Sequence, residues 1–470
     1  MNTRKLLCWA LSLVLGLTAC GGPSAPATDT AVPPATLTSA PPTATAAPPT
    51  ETPLPTLAPT ETETTPATET PLSPEAVSPT PSVEPIIGAP IAQLTAGQVI
   101  TLTSINMYDA NAGWAIGKAA PESDDHLFRT ADGGQTWKEV TPPQPLDVAA
   151  TFGQSAAGFF LSPARAWAAY SDATGAAISA PVVIWLTQDG GVSWKASTPL
   201  PLPELADFYQ ISDLRFVDAQ HGWALMHLGV GMSHDYVALY RTENGGQTWE
   251  MLIHPNADGG LSMSCGKTDF GFADVKRGWV LGDCGGVVPG GPYFYQTDDG
   301  GQTWQLVNLP APADAPDLYD PNKFDYACGS AALRFPTPSN GALMVRCLMF
   351  ADSTVKSWLY LTSDAGQNWS SYVMPGTYNA YPYYGVPLTF FTAAQGWMLN
   401  DGADGTSQLH RTADGGQTWS LLKQLSWTGP MDFVDAQTGW AIAHAGEAVA
   451  LVKTVDGGQK WNEIKPVTAP

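Results

Sequence analysis

The sequence predicts an all-β fold, a seven-bladed β-propeller of four-stranded antiparallel blades, and three observations predict it. An eight-residue phrase, Thr130-Ala131-Asp132-Gly133-Gly134-Gln135-Thr136-Trp137, returns from Thr187, Thr242, Thr297, Thr362, Thr412 and Thr454. Before most copies stands a Gly-Trp pair: Gly113-Trp114, Gly222-Trp223, Gly278-Trp279, Gly396-Trp397 and Gly439-Trp440. Upstream again lies an apolar run ending in an acidic turn, such as Leu214-Arg215-Phe216-Val217-Asp218. A phrase recurring at this interval marks a repeat architecture. Seven units of four strands build a propeller.

Each unit reads as four strands in order. Strand A is the Leu-Arg-Phe type of run, and strand B is Gly-Trp with its apolar successors. Strand C is a run such as Val237-Ala238-Leu239-Tyr240-Arg241, and strand D starts at the closing Trp. The Asp/Asn-Gly-Gly centre of the phrase joins C to D as a hairpin. Its glycines supply positive φ, and its Asp or Asn bonds nearby backbone. Units two and five carry degenerate B strands, Ala166-Trp167-Ala168 and Gly341-Ala342-Leu343.

The phrase resembles the Asp-box, or BNR repeat, Ser/Thr-x-Asp-x-Gly-x-Thr-Trp, over roughly residues 98–465. Departures are few. Asn244 replaces Asp, Ala365 replaces the first glycine, and Ser193, Asn368 and Lys460 replace the second Thr. In families with this box it lies on the C–D hairpin of propeller blades. The pairing with Gly-Trp also resembles the photosystem II stability and assembly factor family, which implies a role in protein-complex biogenesis. Sortilin-type receptors, sialidases and xyloglucanases share the box. Seven near-identical turns mark a structural face, so Asp132, Asp189, Asn244, Asp299, Asp364, Asp414 and Asp456 are expected to be structural. One or two carboxylates per turn are too few for calcium, which takes six to eight oxygens.

Residues 1–19 read as a lipoprotein signal peptide. Arg4 and Lys5 precede an apolar stretch at 6–17, and Leu17-Thr18-Ala19-Cys20 resembles a lipobox with lipid attached to Cys20. Residues 20–90 follow as a disordered Pro/Thr-rich stalk with too few apolar side chains to bury. Residues 91–470 form the propeller. The expected location is the outer face of a bacterial membrane, with the lipid as the sole membrane contact. The net charge of −22 excludes nucleic acid as a partner. A monomer is expected. The chain ends soon after the seventh D run, so no strand need pass between first and last blades, and residues 90–95 are a candidate edge strand.

Four cysteines remain outside the signal. Cys265 and Cys284, and Cys328 and Cys347, bracket equivalent A–B turns. Residues equidistant from a turn face each other across antiparallel strands, which predicts Cys265–Cys284 and Cys328–Cys347 from three possible connectivities. A four-cysteine zinc site lacks its close CxxC pairs. No metal or cofactor is expected.

In this topology B–C and D–A loops share the face opposite the uniform turns. The candidate ligand residues lie there, in neighbouring blades: Asp283, Asp314, Asp317, Tyr319, Asp320, Tyr378, Tyr381, Tyr383 and Tyr384. Tyrosine rings with carboxylates suit a carbohydrate or protein ligand. For a sialidase-like arginine triad, Arg215, Arg334 and Arg346 are the set remaining once the turn-face arginines are removed. No Ser-His-Asp, Walker or His-Glu-x-x-His pattern occurs. The expectation is a binding or scaffold protein and not an enzyme, with a glycan-acting hydrolase as the alternative.

Overall fold

The computed structural model describes residues 91–469, apart from 122–123, 144–153, 173–180, 204–208, 232–233, 255–260, 263, 284–290, 377–386 and 402–405. The signal segment, Cys20 and the stalk lie outside the described residues. Seven antiparallel sheets follow one another, each with its four strands in chain order. Blades 1 to 7 span 101–139, 154–196, 210–253, 266–306, 326–373, 388–425 and 431–464. From blade 2 round to blade 1, each A strand touches the A strand of the next blade, so A strands form the inner ring. The seven-bladed all-β expectation is met.

The repeated phrase folds the same way in every blade. In blade 1 the Thr130 hydroxyl donates to Asp132 Oδ1 at 2.9 Å and accepts the Gly134 N–H at 3.0 Å. Asp132 Oδ1 accepts the amides of Gln135 and Thr136 at 3.0 Å, and its Oδ2 accepts the Thr136 hydroxyl at 2.7 Å. Gly133 and Gly134 take φ of 75° and 94°, the left-handed region that favours glycine. Ala365 holds φ 57° at the one first-glycine position without glycine. The carboxylates are consumed by their own turns. The Ser193 hydroxyl and amide hold Asp189 at about 2, and Asn368 holds Asp364 at about 2.

Neighbouring blades lock through the strand B tryptophans. Trp114, Trp167, Trp223, Trp279, Trp397 and Trp440 are fully buried. Each ring of blades 2, 3 and 6 stacks on the A-strand Phe of the next blade: Trp167 on Phe216 at 3.6 Å, Trp223 on Phe272 at 3.6 Å, Trp397 on Phe433 at 3.8 Å. The indole N–H then donates to the first glycine of the next blade's turn, at Gly245 (2.8 Å), Gly300 (2.8 Å) and Gly457 (3.1 Å). Trp440 of blade 7 donates to Gly133 of blade 1 at 3.0 Å, closing the ring. The glycine before the Trp of blades 1, 3, 4, 6 and 7 is required by the same packing. A Cβ on Gly222 would lie 2.3 Å from the Phe216 ring of its own A strand.

Closure has a second part, which corrects the expectation from sequence. After blade 7 the chain runs into Val467–Thr468, which pairs in parallel with strand D of blade 1, Thr136–Glu139. The Thr468 hydroxyl accepts the Gln98 amide at 2.9 Å, and Thr468 O accepts the Gly97 amide at 3.0 Å. Ala469 N–H reaches Trp137 O at 2.7 Å. The added edge strand is therefore C-terminal, and among residues 91–95 no strand forms. Ile91 is buried in the cluster of Trp114 and Val140 instead. Cys328 and Cys347 face each other in the A–B register of blade 5 and are disulfide-bonded. Cys265 is disulfide-bonded, and Cys284 lies outside the described residues.

Replacing Trp440 by Ala is expected to cost about 3–5 kcal/mol. Trp440→Phe keeps a ring and loses the N–H bond, for about 1 kcal/mol. Denaturant unfolding of both variants checks this; equal losses would mean that the ring itself does not hold blade 7 to blade 1.

Candidate functional site

Strand A positions the chemistry of the central channel. In each blade one A residue pairs with the strand B tryptophan position: Asn106, Phe159, Arg215, Gly271, Arg334, Thr389 and Asp432. It lies between two core residues, as Arg215 lies between Leu214 and Phe216, which are buried. Alternation along the strand therefore turns Arg215 away from the core that they fill. A cavity of about 440 Å³ opens between the A strands of blades 1 to 5, lined among others by Asn106, Phe159, Arg215, Asp269 and Arg334. Strands A of blades 1, 3, 4 and 5 each carry a register shift just upstream. In blades 3 and 4 it sits beside Asp213 and Asp269, two positions from Arg215 and Gly271. A bulge of this kind re-aims the side chains next to it.

These residues form one ion-pair cluster across three blades. Arg215 Nη1 contacts Asp213 at 2.7 Å and Nη2 contacts Asp269 at 3.0 Å. Arg334 Nη1 reaches the other Asp269 oxygen at 3.3 Å. Each guanidinium also ties its A strand to the next one. Arg215 Nε donates to Phe270 O and Arg334 Nε to Leu388 O, both at 3.1 Å. Enclosure raises the Asp213 pKa against the pull of Arg215. Burial lowers the Arg215 pKa, but Asp213 and Asp269 overcome it and the net shift is upward. The cluster still meets the channel: side chains of Asp213, Arg215 and Arg334 are 25%, 32% and 43% exposed. On blade 7, Asp432 accepts the Met107 amide of blade 1, and burial raises it to about 6.

The expected rim residues are placed as follows. Asp314 accepts the Trp358 indole N–H at 2.9 Å. Tyr319 takes φ 73° and its hydroxyl meets that of Tyr360 at 3.1 Å. Both therefore dock on strand C of blade 5, Thr354–Thr362, and burial drives the Tyr319 hydroxyl pKa well up. Asp317 pairs with Lys323, and Asp320 accepts the Asn322 amide at 2.9 Å. Asp283 ends strand B of blade 4, Gly278–Asp283. Tyr378, Tyr381, Tyr383 and Tyr384 lie outside the described residues. Of the arginine set, Arg215 and Arg334 meet at Asp269. Arg346 is buried in strand B of blade 5, alternating with the Val345 and Cys347 that face blade 4.

Sequence reading missed the carboxylates of the channel. Asp213, Asp269 and Asp432 sit at or two positions before the Leu-x-Phe centre, so the strand period carried a usable signal. It also missed Asp235, which binds His227 Nδ1 at 2.9 Å and the Lys267 amide at 2.7 Å. Burial lowers the Lys267 amine to about 8, and it donates to the carbonyls of Asp235, Ser264 and Cys265. Among the described residues no three His, Cys, Asp or Glu side chains converge as a metal-ligand set.

The fold and channel define a closed seven-bladed propeller with a charged axial cavity. No family model and no curated protein matches the chain. Solved structures do. A structure from an analysis of two prolyl endopeptidases is similar at TM-score 0.48 and 10% identity, over 80% of this chain and 51% of that one. A puromycin-hydrolyzing peptidase of Mycobacterium tuberculosis is similar at TM-score 0.48 and 12% identity, over 80% and 57%. An ulvan lyase is similar at TM-score 0.44 and 9% identity, over 79% and 95%. This chain thus spans little more than half of either peptidase. These similarities concern the fold alone. They do correct one expectation: the scaffold is one that enzymes use, so the assignment of this chain as a non-enzyme is withdrawn.

The raised Asp432 gives a pH dependence of known sign. An unfolded aspartate releases its proton near pH 4. Between about pH 4 and 6 the folded chain therefore binds more protons, and this contribution to stability is lost as pH rises through that window. Asp432→Asn should stabilise the protein relative to the parent at pH 8 by on the order of 1–3 kcal/mol, and the gain should vanish near pH 4. Thermal unfolding at both pH values measures it.

Proposed function

We propose that this chain is an exported propeller that engages a carbohydrate in its central channel. One observation carries the reading: a cavity of about 440 Å³ has two guanidiniums, Arg215 and Arg334, and a shared carboxylate, Asp269, in its wall beside Phe159. That volume lies in the range of small-ligand pockets. Guanidiniums and carboxylates offer donors and acceptors to hydroxyl groups, and an aromatic face covers the apolar side of a sugar ring. The neighbouring folds include a lectin in complex with a fucosylated disaccharide, an observation about that protein. We read the repeated turn as an Asp-box and the chain as lipid-anchored through Cys20. The lipobox-like Leu17-Thr18-Ala19-Cys20 and the Cys328–Cys347 disulfide support export. The likeness to the photosystem II assembly factor family would instead imply a protein ligand.

A second reading, glycoside hydrolysis, is favoured by the carboxylate pair. Asp213 and Asp269 share one guanidinium, and enclosure raises the pKa of Asp213. Carboxyl groups in unequal environments divide naturally into acid and base.

A glycan array followed by calorimetry on the full chain tests binding. Arg334→Met, which removes the more exposed guanidinium, should weaken the captured glycan about tenfold or more, measured on a variant shown to be folded by its cooperative thermal transition. Unchanged affinity would remove the ligand from the channel, and capture of proteins alone would favour the protein ligand. Turnover of a glycoside panel that is lost in Asp213→Asn would establish the hydrolase reading.

A further inference from the structure

The ring of tryptophan contacts has one interruption. At the position of Trp114, Trp167, Trp223, Trp279, Trp397 and Trp440, blade 5 carries Ala342. Its register partner confirms the equivalence: Arg334 pairs with Ala342 as Arg215 pairs with Trp223. The receiving half of the contact is nevertheless complete in blade 6. Phe390 occupies the place of Phe216, Phe272 and Phe433, opposite Gly396. The turn Thr412-Ala413-Asp414-Gly415-Gly416 keeps its geometry, with Gly415 at φ 76° and Gly416 at φ 98°. Gly415 O thus stands where Gly245, Gly300, Gly457 and Gly133 each receive an indole N–H.

A cavity fills the gap. It measures about 220 Å³ and is lined among others by Ala342, Leu361, Phe390, Asp414 and Gly415. Roughly 150 Å³ is enough to hold a benzene ring. Leu361 takes part of the space; a Cβ on Gly416 would lie 3.5 Å from it, where Gly246 and Gly366 would meet Trp167 and Trp279. In blades 1, 6 and 7 the residue across from the Trp is a cation lying over the indole, Arg129, Arg411 or Lys453, at 4.5–5.3 Å. Leu361 replaces it here. The slot therefore offers a stacking face, an aliphatic cover and one carbonyl acceptor, and no charge on the ring.

We propose that this slot between blades 5 and 6 binds a planar aromatic ring bearing one N–H donor, an indole, supplied by a ligand where blades 2, 3, 6 and 7 supply both ring and N–H themselves. The ring stacks on Phe390 and its N–H donates to Gly415 O. This site is separate from the channel and independent of the reading given above.

Calorimetry or saturation-transfer NMR on the full chain tests it, with indole and N-acetyl-tryptophanamide as probes. Wild type should bind with Kd on the order of 0.1–1 mM. Tighter binding of the amide assigns the ring to a polypeptide, and tighter binding of indole assigns it to a free small molecule; either supports the site. 1-Methylindole, which lacks the donor, should bind roughly 3–10-fold more weakly. Ala342→Trp should fill the slot, abolish binding and raise Tm by about 1–4 °C. Should that variant fail to fold, Phe390→Ala gives the same information through a loss of roughly 3–10-fold. No binding of either probe at 5 mM overturns the proposal. So does binding that survives both substitutions or that ignores N-methylation.

Discussion

The interaction on which the structure depends is a tryptophan from one blade inserted under the turn of the next. A four-stranded sheet cannot bury both faces alone, and in a repeat protein each unit is stabilised by its neighbours. Here the insertion couples two sequence signals that stand far apart in a unit. Gly-Trp on strand B supplies the ring and its N–H. The Thr-x-Asp-Gly-Gly turn of the following blade supplies the carbonyl that receives it, as Trp167 and Gly245 show. Neither motif is complete within its own blade. Their recurrence together follows from that division: a change in one would leave a buried polar group or an unfilled space in the other.

This coupling also decides where chemistry can reside. The turn aspartates look like ligand residues, but their oxygens are occupied by the amides and hydroxyls of the same eight residues, as at Asp132. The channel is different. Arg215 and Arg334 each secure a neighbouring A strand through Nε, yet both also share Asp269 through Nη atoms and keep 32% and 43% of their side-chain surface open. A guanidinium with five donors can serve the ring and a ligand together.

The fold was legible because its information is periodic. Gly-Trp and the Asp-Gly-Gly turn gave strand order, blade number and the disulfide register of Cys328 and Cys347 without any knowledge of tertiary contacts. Sites were less legible for a related reason. Asp314 and Tyr319 read as a free rim because loop sequence carries no period that reveals what it packs on, and strand C of blade 5 holds both. Asp213 and Asp269 approach through a register shift, and a one-residue bulge exchanges the two faces of a strand, so alternation alone misassigns them. Closure by Val467–Thr468 escaped notice because two residues are too short to show a strand pattern.

The seven positions that pair with the strand B ring position combine constraint and freedom. Their neighbours are fixed, since Leu214 and Phe216 and their counterparts must fill the core and stack on the preceding blade. The position itself faces a weaker demand, and the chain places Asn106, Phe159, Arg215, Gly271, Arg334, Thr389 and Asp432 there, seven residues of six types. Closure then gathers these residues, far apart in sequence, around one axis. A propeller built this way changes the lining of its channel one blade at a time without disturbing the contact that holds the blades together. The same logic applies at Ala342, where the contact itself was relinquished. With six other insertions and the C-terminal strand still closing the ring, the loss of one tryptophan leaves a formed slot in an intact scaffold.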